Sequence, residues 1–140
     1  MPRNATDDDD ALPPVIGPSP PRSGLCIRGA DLVVEDWTTG EDRDFVAPLH
    51  VHHADDEAWH VISGALRFRF KGERELVAVA GTTVLVPAGM PHTFGNAGPG
   101  AARYLIILPA RLHELIRALH AAPANEHAAI FLAHESELVD

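Results

Sequence analysis

The stretch PLHVHHADDEAWHVISG, residues 48–64, limits the possible folds more than any other. Side chains of an extended strand alternate faces, so His50 and His52 point the same way, about 7 Å apart along the backbone. A bend through Ala54-Asp55-Asp56 would return Glu57 to their side. Two imidazoles and a carboxylate on one face form a mixed nitrogen and oxygen site suited to a divalent transition metal. A second stretch, GTTVLVPAGMPHTFGN over residues 81–96, supplies His92 on another extended segment. The fold has to bring these two segments together.

The surrounding chain reads as short strands. Residues 65–71 alternate, with Leu66, Phe68 and Phe70 on one face and Arg67, Arg69 and Lys71 on the other. That period of two marks a half-buried strand. Apolar runs at Leu25-Cys26-Ile27, Leu32-Val33-Val34, Thr83 to Val86 and Ala102 to Leu108 are separated by glycine, proline and aspartate turns. About nine short strands with frequent turn signals indicate a sandwich or barrel. After Pro109 the period changes: Leu112, Leu115, Ile116 and Leu119 describe an amphipathic helix. Pro123 breaks it, and Asn125 can cap a second helix reaching about Glu135. Residues 1–23, with an Asp7–Asp10 run and dense proline, read as a disordered or loosely docked arm.

The two motif stretches resemble the cupin superfamily. Its first motif is matched as Asp44-x5-His50-x-His52-x4-Glu57-x6-Gly64, with aspartate in place of the first glycine. Its second is matched in full as Gly81-x5-Pro87-x-Gly89-x2-His92-x3-Asn96. The resemblance implies an all-β fold, a small antiparallel jelly-roll barrel over residues 24–109. Two C-terminal helices over residues 110–140 would lie outside the barrel or brace a homodimer, as in flavonol-dioxygenase-like single-domain members. It also implies one divalent ion, of iron, manganese, nickel, copper or zinc, held by His50, His52, Glu57 and His92. Gly64, Gly81, Pro87, Gly89 and Asn96 are read as backbone devices.

Parity sorts the remaining candidates. Trp59 shares the face of Glu57, and Phe94 that of His92, so both are candidates for the substrate pocket. Met90, in the turn before His92, and Tyr104 join them, with Val46, Leu66 and Ile106 as weaker candidates. His53 and His60 fall on the opposite face. His113, His120, His127 and His134 are expected to face solvent from the helices. The cavity is expected to be apolar, with few charges besides Glu57.

The net charge of −9 argues against nucleic-acid or anionic-membrane binding. A single cysteine fits a reducing compartment, and with no leader-like or membrane-spanning run the expectation is cytoplasmic. The resemblance and the apolar cavity together imply a metal-dependent oxidoreductase, dioxygenase-like, acting on a small and largely apolar organic substrate. The alternatives are a non-redox isomerase, decarboxylase or polyketide-cyclase-like enzyme, or a non-catalytic small-molecule or metal-binding module.

Overall fold

Strand alternation builds two five-stranded antiparallel sheets. The structure, a computed structural model, describes residues 26–139, so the arm assigned to residues 1–23 lies outside the described residues. The strands are β1 (Cys26–Arg28), β2 (Leu32–Thr38), β3 (His50–His52), β4 (Glu57–Ser63), β5 (Ala65–Phe70), β6 (Glu75–Val79), β7 (Thr83–Val86), β8 (His92–Asn96), β9 (Arg103–Pro109) and β10 (Ser136–Leu138). One sheet runs β1-β2-β9-β4-β7 and the other β10-β3-β8-β5-β6. This is the expected jelly roll.

The alternating residues of β5 fall as their period requires. Leu66 and Phe68 are fully buried between the sheets, while Arg67 and Arg69 flank the ring of Phe45 on the outer face. Trp59 meets Phe68 at 5.1 Å and Phe94 at 5.2 Å between ring centroids, and Phe94 meets Tyr104 at 5.6 Å. These tilted and edge-on contacts add to the gain from removing the rings from water. Gly64, between β4 and β5, has φ +73°, and a Cβ there would lie 2.7 Å from the carbonyl oxygen of Ala101. Asn96 donates to the carbonyls of Gly100 at 2.7 Å and Gly40 at 3.2 Å, which ties two loops together at one end of the barrel.

The helices are α1 (Ala110–Ala121) and α2 (His127–Ala133), joined by a 3-10 turn over Ala124–Glu126. Neither they nor any other described helix is long and apolar enough to cross a membrane. Their placement corrects the expectation that they lie outside the barrel. Leu112, Leu115 and Phe131 belong to the same buried cluster as Trp59 and Phe94, so the helices close the open end of the barrel. Residues 110–140 are also not purely helical. Beyond α2 the chain forms β10, which pairs with β3 in the register Ser136 to His52 and Leu138 to His50. An unpaired β3 edge would leave buried backbone groups unsatisfied, and β10 supplies their partners.

Candidate metal centre

The cross-strand register brings the histidines together. His50 on β3 pairs directly with His92 on β8, and His52 follows on the same face. Glu57 comes from the opposite sheet, at the start of β4. The connection is anchored at two aspartates: Arg111 Nε donates to buried Asp55 at 2.5 Å, and Asp56 accepts from Ala88 N at 2.8 Å. Gly89 N donates to the His52 carbonyl at 2.8 Å, which joins the second motif to the first. All four side chains are buried.

One ring nitrogen of each histidine already has a partner. His50 Nδ1–H donates to the Pro48 carbonyl at 2.8 Å, and His92 Nδ1–H donates to the Met90 carbonyl at 3.0 Å. The hydroxyl of Ser136 gives its proton to the His134 carbonyl at 3.1 Å, so its oxygen accepts from His52 Nδ1–H at 2.7 Å. Each neutral ring therefore carries its lone pair on Nε2. Ring nitrogens of His50, His52 and His92 lie within 4.8 Å of one another, and this group could hold a metal. Glu57 Oε1 lies 3.2 Å from His92 Nε2 and 3.5 Å from His52 Nε2. Three lone pairs and a carboxylate facing one another repel unless a cation lies among them, so these residues fit a divalent ion.

The electrostatics of the metal-free site agree. Burial pushes the His50 imidazole down to about 4, with His92 adding to the effect, so His50 is neutral at neutral pH. Burial would raise the Glu57 carboxyl, but the imidazoles of His52 and His92 set against it outweigh burial and bring the group down to about 2.

The quartet forms one wall of a cavity of about 550 Å³. Trp59, Phe94 and Tyr104 line it, as do Val46 and Ile106. Leu66 does not, being packed between the sheets. Met90 is a correction: its side chain is 41% exposed and turned away, and only its carbonyl serves the site, by holding His92. Burial raises the Tyr104 phenol well above its usual range, with Glu57 and Glu35 adding to the effect, so the phenol stays protonated. Glu35, Asp42 and Asp44 also line the cavity, which is therefore more acidic than its strands suggested.

Among the helix histidines His113 differs from expectation: it is buried against Glu35, with Nε2 2.9 Å from the carboxylate. His120 is exposed as expected, though it borders the cavity, and half-buried His127 borders it too. The residues that local sequence did not reveal are Ser136, Phe131 and the Glu35–His113 pair. Phe131 packs its ring 5.2 Å from His50 and 6.4 Å from His52, covering the site from α2. A second group, Cys26, Glu35 and His113, also brings three ligand atoms within 4.8 Å of one another. Burial and Glu35 raise the Cys26 thiol, which disfavours the thiolate a metal requires.

Residues 41–108, from the loop before β3 to β9, match the cupin domain family. The match covers just under half of the chain, and the two-sheet jelly roll and the buried histidine group are what a cupin-like barrel would show. No curated protein matches the chain in sequence. Among solved structures it is similar to a conserved Klebsiella pneumoniae protein with a double-stranded β-helix domain: 25% identity, TM-score 0.51, covering 64% of this chain and 81% of that one. TT1209 from Thermus thermophilus shares the fold at 20% identity and TM-score 0.51, covering 64% and 86%. The polyketide cyclase RemF from Streptomyces resistomycificus shares it at 20% identity and TM-score 0.51, covering 58% of this chain and 56% of RemF.

Proposed function

We propose that this protein is a metal-dependent enzyme, a dioxygenase-like oxidoreductase acting on a small, largely apolar organic molecule. The observation that carries the reading is the convergence of three Nε2 lone pairs and the Glu57 carboxylate on an aromatic-walled cavity. A redox-active divalent ion held there supplies electron transfer toward dioxygen and positive charge that favours an enolate over its hydroxy-ketone.

The chain's own residues do the rest. Trp59, Phe94 and Phe131 exclude water and hold a flat substrate against the histidine wall. Glu57, on the histidine wall of the cavity, is placed to accept the substrate proton. Tyr104, protonated and facing the cavity, is placed to donate to a substrate oxygen. Because both atoms of dioxygen enter the product, no separate reductant is required. The exposed apolar residues Val77, Val79 and Leu85 on the outermost strands β6 and β7 support a homodimer.

A second reading keeps the metal and drops the redox step. It is supported by the fold shared with a polyketide cyclase and by a metal wall that serves equally to polarise a carbonyl. Metal analysis of untagged protein prepared without chelators, beside His52→Ala and Glu57→Ala, tests both. Near one equivalent in the parent, lost in the variants, supports the site. Dioxygen uptake with a hydroxy-ketone panel supports the oxidoreductase; anaerobic turnover with zinc supports the second reading. No metal after reconstitution overturns both.

A further inference from the structure

Glu35 is a carboxylate the metal centre does not use. It pairs across β2 and β9 with Ile106, and its neighbours on that inner face are Val33, Trp37, Tyr104 and Leu108. An acid in an otherwise apolar row is costly unless it is paired or serves a ligand. Its protein partner is His113, whose Nε2 lies 2.9 Å from Oε2. The other nitrogen of that ring, Nδ1, is buried with no partner among the described residues. A charged His113 would bury an N–H with no acceptor, whereas a neutral ring leaves only a lone pair unmet. Among the described residues no lysine or arginine comes within ion-pair distance of Glu35.

The rest of the lining carries the same sign. Asp42, Asp44 and Glu57 line the cavity, and among the described residues no lysine or arginine does. Trp37 lies beside Glu35 on β2, its ring 5.7 Å from that of His120. An indole beside a carboxylate that no lysine or arginine neutralises suits an organic cation.

We propose that the substrate carries a cationic nitrogen, a primary to quaternary ammonium, that pairs with Glu35 and Trp37 while its other end reaches the histidine wall. The inference rests on the cavity being a small-molecule site, and it does not depend on the metal. At the Glu35 end it selects against phosphate and carboxylate groups, since acids line the cavity and, among the described residues, no lysine or arginine does.

Calorimetric titration of 2-phenylethylamine, 2-phenylethanol and 3-phenylpropionate into the full chain, metal-loaded and metal-stripped, tests it. The amine is expected to bind at least about tenfold more tightly than the alcohol in both forms, with the carboxylate weakest. Glu35→Gln should abolish the preference and Glu35→Asp should keep most of it. Glu114→Gln, an equal charge change on the surface, should leave it intact and so separates the site from the overall field. Equal affinity for the alcohol, no amine binding at millimolar concentration, or a preference that survives Glu35→Gln in folded protein overturns the proposal. Failure of the protein to take up a metal, with the amine preference intact, would sink the metal reading and leave this one standing.

Discussion

The hydroxyl of Ser136 sits 2.7 Å from Nδ1 of His52 and hands its own proton to the His134 carbonyl. A residue far along the chain thereby fixes which nitrogen of His52 faces the other ligands. Ser136→Ala leaves that N–H buried without an acceptor and frees the ring to turn. Metal affinity should fall by about tenfold or more, read by competition with a chromogenic chelator. Ser136→Thr, which keeps the hydroxyl, should retain most of it. Unchanged affinity in the alanine variant would show that β10 alone orients His52.

Phe131 is 2% exposed and covers His50 and His52. Phe131→Ala should cost about 3 kcal/mol, the usual order for emptying a buried aromatic site. Urea denaturation measures the loss. The same variant should release metal to a chelator faster, because the ring is what separates the histidines from the helix side.

Acid should destabilise the metal-free protein in two stages. His50 titrates at about 4 when folded against 6.5 as its ordinary value, so the unfolded chain binds the extra proton between those limits. Stability is complete above pH 6.5 and falls toward pH 4, by roughly 3 kcal/mol at most. Glu57, held at about 2 against 4.5, contributes stability that is present above pH 4.5 and lost toward pH 2. Urea midpoints at pH 7, 5.5 and 4.5 should decline in order, and a flat series would contradict the burial of a neutral His50.

Asp36 is buried on the outer side of β2 and accepts from two nitrogens of Arg103, Nη2 at 2.6 Å and Nε at 3.1 Å. Arg103→Met strands that carboxylate and should cost about 3 kcal/mol. Asp36→Asn should cost less, since Arg103 is 16% exposed and can turn to water. The reverse order in thermal unfolding would count against an uncompensated charge as the cause.

The convergence of His50, His52, Glu57 and His92 was legible because strand parity and two fixed spacings place them without knowledge of the tertiary fold. Trp59 and Phe94 followed from the same parity, whereas Tyr104 was named without it. Met90 did not, because it lies in a turn, where alternation gives no guide to side-chain direction. Ser136 and Phe131 were invisible for another reason. They meet His50 and His52 only through a three-residue strand, too short to show a period, and a helix whose docking site is set by the barrel's open end. His113 adjoins the apolar stripe of α1, and only its pairing with Glu35 draws it inside.

The pairing of β10 with β3 has a consequence for biosynthesis. In the order of synthesis Phe131 and Ser136 are the last parts of the site to be added. One short C-terminal stretch both lays a ring over His50 and His52 and supplies the hydroxyl that orients His52. A chain ending before α2 would lack the cover and that hydrogen bond together.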